Sequence, residues 1–99
     1  MINFEKAKIL ASLKLEEIAK ISNSNLTFLN QDTITFEFGW VFFYQSEEFV
    51  RFGKLEKMIG GNAPILVDKF DGTIYLTGTR KDIHEYVEIF STFKKAWFS

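Results

Sequence analysis

The feature that most constrains the fold is a run of alternating residues between Thr33 and Gln45. Every second side chain in this run is large and apolar, namely Ile34, Phe36, Phe38, Trp40, Phe42 and Tyr44. Because the side chains of a β-strand alternate between two faces, the pattern predicts one long strand with a continuous apolar face. Near Val41 and Phe43 the second face becomes apolar as well. We therefore expect another part of the chain, or a partner, to cover that second face.

Helical spacing marks both ends of the chain. Apolar residues at intervals of three and four predict a first helix from Asn3 to about Lys20, with Ile9 and Leu13 off its apolar stripe. Thr79 and Asp82 form a capping-box pattern before a final amphipathic helix. The apolar positions of that helix are Ile83, Tyr86, Val87, Phe90 and Trp97, and Lys94 is the only residue off the pattern.

Shorter segments complete the predicted fold. A strand at 26–29 is joined to the long strand through a hairpin turn at 30–32, and strands at 65–67 and 73–77 are joined through Asp71-Gly72, a strong hairpin signal. Between the two pairs, residues 46–61 suggest two short helical turns that start at Ser46. The order predicts one α+β domain over residues 1–99. We expect an antiparallel sheet of about four strands, with the N-terminal and C-terminal helices packed on one face.

Composition excludes several classes of function. The formal net charge of -1 and the absence of a basic stripe argue against a nucleic-acid partner. The chain has no Cys, which excludes disulfides and thiolate zinc sites. No apolar stretch is long enough for a signal peptide or a membrane span, so we expect a soluble, cytoplasmic protein without membrane partners. Its oligomeric state stays open.

No set of residues suggests catalysis or a cofactor. His84, the only histidine, falls on the polar side of the last helix without the companions that a base or a metal ligand requires. Asp68 and Asp71 bracket a turn and lack the further oxygens of a calcium loop. Gly60-Gly61-Asn62 is not followed by the Lys-Ser/Thr of a phosphate loop. We expect no enzymatic activity, no cofactor and no metal.

Several short motifs together resemble the immunity protein 35 family. They are Gly39-Trp-Val-Phe-Phe-Tyr-Gln-Ser46, Gly61-Asn-Ala-Pro-Ile-Leu-Val-Asp-Lys69, Asp71-Gly72 and Thr77-Gly-Thr79. The resemblance covers about residues 36–86, and its one departure is Arg80-Lys81, where a proline is expected to open the last helix. It implies an α+β fold without enzymatic activity and a protein toxin as partner. The protein would then neutralise a cognate bacterial toxin by contact; the alternative is a general protein-interaction or chaperone-like stress domain.

Two groups of residues are candidates for function. We interpret the motif residues Trp40, Asn62, Pro64 and Asp68 as scaffold, and we expect the Asn62 side chain to hold the turn at 60–64. The candidate partner-binding residues are Glu47, Glu48, Phe49 and Phe52, because aromatic anchors with a charged rim are typical of protein interfaces. Phe49 and Phe52 have an alternative role, which is to close the core over Val41 and Phe43. The next candidate surface is the outer face of the first helix, around Ile9 and Leu13.

Overall fold

Within residues 1–60 and 62–98, which the computed structural model describes, the chain forms three α-helices, six β-strands and two single-turn 3₁₀ helices. The helices are α1 (Phe4–Ser22), α2 (Glu47–Phe52) and α3 (Ile83–Phe98). The strands are β1 (Leu26–Phe28), β2 (Ile34–Phe36), β3 (Gly39–Phe42), β4 (Tyr44–Ser46), β5 (Ile65–Asp68) and β6 (Ile74–Leu76). The 3₁₀ turns span Asn30–Asp32 and Leu55–Lys57.

Asparagines define both ends of α1. The side chain of Asn3 accepts a hydrogen bond from the backbone N–H of Lys6 at 2.8 Å, which satisfies one of the free N–H groups of the first turn. Asn23 ends the helix in the left-handed conformation, with φ of 53°, and its N–H bonds the last carbonyls. The helix therefore ends at Ser22, slightly beyond the predicted Lys20.

The strands form two antiparallel sheets. Four strands are ordered β2-β3-β5-β6, whereas β1 and β4 form a separate pair in which Phe28 lies opposite Tyr44. The predicted hairpin between β1 and the next strand is therefore wrong. Residues 30–32 form a 3₁₀ turn instead, and the chain beside it is held by a bond from Leu29 N–H to the carbonyl of Phe43 at 2.8 Å.

The predicted long strand is interrupted twice, so that it contributes to β2, β3 and β4. A tight turn at Glu37 and Phe38 folds β3 back against β2, with Phe36 opposite Gly39. The sequence does not reveal this turn because it carries neither the Asn-Gly nor the Asp-Gly pair that marks most two-residue hairpins. Gly39 is required beside it, since a Cβ atom there would collide with the carbonyl oxygen of Val67 on β5.

The hairpin also redistributes the apolar side chains between two faces. Ile34 lies opposite Val41 and Phe36 lies opposite Gly39. The apolar side chains of β2 therefore lie on the side of the sheet away from Trp40 and Phe42. The side of Trp40 packs against α1, where Ala7 and Ala11 are fully buried and allow a close approach. The core on this side contains Ala7, Ala11, Leu15, Trp40, Phe42, Tyr44, Ile65 and Val67.

Helix α3 packs on the opposite side of the sheet. Phe90 makes edge contacts with Phe36 on β2 and Tyr75 on β6, at centroid distances of 6.0 and 5.4 Å. The α+β class and the four-stranded antiparallel sheet are confirmed, but the expectation that both helices pack on one face is wrong. The physical reason is that Val41 and Leu66 are as fully buried as their neighbours, so the central strands need cover on both faces.

The start of α3 differs in detail from the prediction. Asp82 precedes the helix, and its carboxylate accepts a hydrogen bond from the N–H of His84 at 2.8 Å. Asp82 therefore caps the helix, and Thr79 lies upstream of the cap rather than in a capping box. Among the described residues, no helix is long and apolar enough to cross a membrane.

Candidate partner-binding surface

Helix α2 is a single short helix with well-defined ends. Ser46 accepts a hydrogen bond from the N–H of Phe49 at 3.4 Å, as the sequence suggested, and Gly53 ends the helix with φ of 67°. Glu47 and Glu48 lie in the first turn, where carboxylates interact favourably with the helix dipole. The helix packs against β1 and β4, at the two-stranded sheet.

Both glutamates of α2 have a cation nearby. Arg51 Nε lies 3.0 Å from Glu47 Oε1, and Lys54 Nζ lies 3.6 Å from Glu48 Oε2. These pairs are exposed, so they contribute little to stability. Because each carboxylate is partly neutralised, this part of the surface presents alternating charges rather than a strongly acidic patch.

The two aromatic residues of α2 differ in exposure. Phe52 is 71% exposed, whereas Phe49 is half-buried. Phe52 therefore does not close the core over Val41, which lies on the side of the sheet that α3 covers. The exposed apolar residues Val50, Leu55 and Met58 lie close to Phe52 in the chain. We call the set of Glu47, Glu48, Val50, Arg51, Phe52, Lys54, Leu55 and Met58 the α2 surface.

A polar groove of about 420 Å³ lies beside the α2 surface. It separates the C-terminal end of α1 from α2, and its lining includes Lys20, Asn25, Glu48 and Lys57. Charged side chains of both signs line it, so the groove offers hydrogen-bonding positions beside α2.

Long-range hydrogen bonds fix the segment that follows α2. The side-chain amide of Gln45 bonds both the N–H and the carbonyl of Ile59, at 2.6 and 3.0 Å, and so acts as a substitute strand partner. Asn62 donates to the carbonyl of Tyr44 at 2.8 Å, and the Tyr44 hydroxyl donates to the carbonyl of Ala63 at 2.9 Å. Burial raises the pKa of the Tyr44 hydroxyl above its ordinary value.

The bond of Asn62 corrects one expectation. Its side chain attaches this loop to β4, across 18 positions of the chain, and bonds none of the described residues of the turn at 60–64. Local sequence cannot reveal such a bond, because Asn is common in turns for purely local reasons. Gly61, the first residue of the second family motif, lies outside the described residues.

The other motif residues also have contacts within the chain. Trp40 is buried against α1 with an edge contact from Phe4 at 6.4 Å. The carbonyl of Pro64 accepts a hydrogen bond from Thr77 N–H at 3.1 Å. Asp68 is fully buried; its Oδ1 accepts from Phe70 N–H at 2.8 Å and its Oδ2 lies 2.7 Å from Lys94 Nζ. Apart from that ion pair, Oδ2 has no hydrogen-bond partner among the described residues.

The contacts of Lys94 explain why a charged residue lies within the apolar pattern of α3. Its side chain is only 8% exposed, and its ammonium group lies between 5.4 and 5.9 Å from the centroids of four aromatic rings. Those rings belong to Phe70, Phe90, Trp97 and Phe98. The hydrogen bond with Asp68 raises the pKa of Lys94 above its ordinary value, although desolvation opposes the rise. Lys94 is therefore a buried cation that α3 places against the sheet.

His84 is exposed on α3. Within the part of the chain that the structure describes, no group of three or more His, Asp or Glu side chains is arranged to hold a metal ion. Ile9 and Leu13 on α1 are also exposed, at 56% and 59%.

A second apolar surface lies between α3 and β6, and the sequence analysis did not identify it. A groove of about 370 Å³ is lined by Leu66, Tyr75, Thr77, Tyr86, Ile89, Phe90 and Phe93. Tyr75, Ile89 and Phe93 remain substantially exposed there. The helical periodicity that marked α3 could have revealed it, because its apolar arc is wider than one face of a sheet can cover.

These features define a small α+β domain, with helices on both faces of an antiparallel sheet and two exposed apolar surfaces. The family model of immunity protein 35 matches residues 5–89, and the chain belongs to this family. The match includes α1, which the motif resemblance did not cover, and it ends before Lys94. The chain is also 38% identical over 63 residues to the uncharacterized protein YrhB of Escherichia coli (strain K12). That alignment covers 64% of this chain and 66% of YrhB, so the chain matches just under two thirds of this relative. No solved structure matches the chain significantly.

Proposed function

We propose that this protein is an immunity protein that binds a cognate bacterial toxin and neutralises it by direct contact, without catalysing a reaction itself. The observation that carries the proposal is the match to the immunity protein 35 family, which spans 85 of the 99 residues. Immunity by contact requires a stable scaffold and an accessible surface that fits one partner.

The α2 surface supports this proposal. Phe52, Leu55 and Met58 provide exposed apolar area, and the charged side chains of two ion pairs, Arg51 with Glu47 and Lys54 with Glu48, lie near them in the chain. Apolar anchors inside a polar rim are the usual composition of a protein interface. The Gln45 and Asn62 bonds hold the segment in place before binding, which reduces the entropy lost on association.

The experiment that tests the proposal is protection in cells. The gene beside that of this protein, if it encodes a toxin domain, is expressed from an inducible promoter in the presence or absence of this chain. We expect growth only when this chain is present, together with a complex that survives purification. A matched control replaces this chain with a variant of unchanged fold that carries Phe52→Glu and Leu55→Glu.

A different result would favour the general protein-interaction or chaperone-like reading. In that case the chain would fail to protect and fail to co-purify, yet it would suppress aggregation of unrelated unfolded proteins. The two outcomes are distinguishable because immunity depends on one partner, whereas a chaperone-like domain acts on many.

A further inference from the structure

Strand β6 forms one edge of the four-stranded sheet, and its outer side has no strand partner among residues 1–60 and 62–98. Its inner side is hydrogen-bonded to β5. The carbonyl of Thr73 accepts from Asp68 N–H at 2.9 Å, and Thr77 N–H donates to the carbonyl of Pro64 at 3.1 Å. Backbone groups of an antiparallel strand alternate in direction, so the N–H and C=O groups of Ile74 and Leu76 point outward.

This edge strand is short, with three residues, but it lacks the charged side chains and the proline that usually prevent strand pairing. Residues 73–77 contain no charged side chain and no proline, although proteins commonly place lysine or proline on exposed edges. Tyr75 is 42% exposed and Leu76 is 47% exposed, one on each face of the sheet. The edge is thus both open and apolar.

Helix α3 extends the apolar surface beside this edge. Ile89, Phe93 and Trp97 follow at intervals of four on one side of the helix and are 52%, 57% and 69% exposed. Together with Tyr75, which lies on the same face of the sheet, they expose roughly 400 Å² of side chain, if a large side chain offers about 150–250 Å². A standard interface buries about 800 Å² on each partner, so this patch would form about half of one, and the backbone edge of β6, Leu76 on the other face and a polar rim would form the rest.

We propose that the occupant of this surface is a second copy of the same chain, paired through β6 about a two-fold axis at Tyr75. Residues 73–77 read Thr-Ile-Tyr-Leu-Thr, which is nearly the same in both directions. Antiparallel pairing of two copies therefore places Thr73 opposite Thr77, Ile74 opposite Leu76, and Tyr75 opposite Tyr75. Like pairs of this kind are among the favourable cross-strand neighbours.

The backbone alternation agrees with this register. An axis at Tyr75 makes Ile74 and Leu76 hydrogen-bonded partners across the interface, and these are the residues whose N–H and C=O groups point outward. An axis at Ile74 or Leu76 would instead place charged or loop residues opposite residues of the strand. Ile74 and Leu76 would then no longer lie opposite one another. The same residues of both copies thus form the interface, as a two-fold interface requires.

Pairing joins the two sheets into one continuous sheet. Because the axis is perpendicular to that sheet, α3 of both copies lies on the same side, and the two apolar stripes approach one another there. On the other side, Leu76 of each copy meets Ile74 of the second copy. The α2 surface lies on the two-stranded sheet of β1 and β4 rather than on β6, so this inference does not depend on the proposed function.

The test measures self-association of the full chain by sedimentation velocity over a range of concentrations. The variant Leu76→Pro removes an outward N–H and leaves the bonds of β5 with β6 unaffected, since proline is tolerated at such edge positions. We expect the wild-type chain to be a dimer and the variant to dissociate with a dimer Kd raised about tenfold or more, because two interface hydrogen bonds are lost. Leu55→Ser, which removes another exposed leucine, should leave the dimer unchanged.

Two further measurements keep the result decisive. If Leu76→Pro does not fold, Leu76→Lys keeps the strand and places a charge opposite Ile74 of the second copy, so the dimer should again dissociate. Hydrogen exchange should show the amides of Ile74 and Leu76 protected at high concentration and unprotected on dilution. A wild-type chain that stays monomeric would overturn the proposal, even if a different protein later protects these amides. A dimer that survives in a folded Leu76→Lys variant would overturn it as well.

Discussion

Lys94 Nζ lies 2.7 Å from Asp68 Oδ2, and this ion pair is buried between the sheet and α3. Asp68 belongs to a family motif, whereas Lys94 follows the end of the family match at residue 89. The buried carboxylate therefore depends on a cation supplied by the last turns of α3. Those turns otherwise pack mainly through aromatic rings, so the pair fixes how α3 sits on the sheet.

The first prediction concerns this pair. Lys94→Met leaves the Asp68 carboxylate buried without a cation and should lower the free energy of unfolding by about 3–5 kcal/mol. Asp68→Asn combined with Lys94→Met removes both charges while an amide oxygen still accepts from Phe70 N–H. The double variant should recover a large part of the loss, as measured by urea unfolding. A double variant no more stable than Lys94→Met alone would show that the pair is not coupled.

The second prediction concerns alkaline pH. The pKa values of Lys94 and Tyr44 are both raised in the folded protein, the first by its hydrogen bond with Asp68 and the second by burial. Folded protein then binds these protons more tightly than unfolded protein, so stability should fall as pH rises above about 10. Urea midpoints measured between about pH 8 and 11 test this. Tyr44→Phe should show a shallower loss, and an equal slope in that variant would contradict the assignment to Tyr44.

At low pH, the carboxyl group of Asp71 gives stability the opposite dependence on pH, so that stability falls as pH falls. The N–H of Thr73 donates to Asp71 and lowers the pKa of that exposed carboxyl. Its contribution is present above about pH 4 and is lost as pH falls through the lower folded value. Asp71→Asn should therefore reduce the acid sensitivity of the urea midpoint slightly and leave the alkaline loss unchanged.

The third prediction concerns the loop after α2. Asn62→Ala removes one bond to β4 and should lower the free energy of unfolding by about 1 kcal/mol. Gln45→Ala removes two bonds to Ile59 and should cost more, since it also frees the loop next to the α2 surface. Thermal unfolding of both variants provides the measurement. If Asn62→Ala kept its stability and lost partner binding, Asn62 would be an interface residue instead of scaffold.

The fourth prediction concerns the α2 surface. Glu47→Lys with Glu48→Lys should slow association with the toxin and change its salt dependence without unfolding the domain, because rim charges act mainly on the association rate. The matched control is Glu16→Lys with Glu17→Lys on α1, which changes the formal net charge by the same amount. Stopped-flow association at low salt measures both. Association of the Glu47→Lys, Glu48→Lys variant at the wild-type rate would place the interface elsewhere, with Ile9 and Leu13 on α1 as the next candidates, and slower association of the Glu16→Lys, Glu17→Lys variant would support that position.

The sequence allowed most helices and strands to be predicted, but fewer of their spatial relations. Helical spacing located α1 and α3, and Asp71-Gly72 located the β5–β6 hairpin, because these signals are local. The turn at Glu37 and Phe38 lacks special turn residues and is fixed by the pairing of β3 with β5. For that reason the alternating run predicts one strand with its large side chains on one face, whereas the structure divides it among three strands.

In the candidate site too, local structure could be predicted from the sequence, whereas contacts between distant residues could not. Ser46 and the glutamates after it predicted α2 correctly from local capping rules. The exposure of Phe52 and the partner of Lys94 depend on residues distant in the chain, so no spacing rule could supply them. Lys94 did stand out as the one charged residue on an apolar face, and such a position is a useful sign of a buried ion pair.

We propose that this chain neutralises a toxin by binding it. The most direct measurement combines the purified chain with the purified product of the neighbouring gene, where that gene encodes a toxin domain, and follows both complex formation and residual toxin activity. We predict a stoichiometric complex in which toxin activity falls in proportion to the chain added, and weaker inhibition by the Phe52→Glu, Leu55→Glu variant. Full toxin activity in the presence of excess folded chain, with no complex detected by sedimentation, would contradict the account.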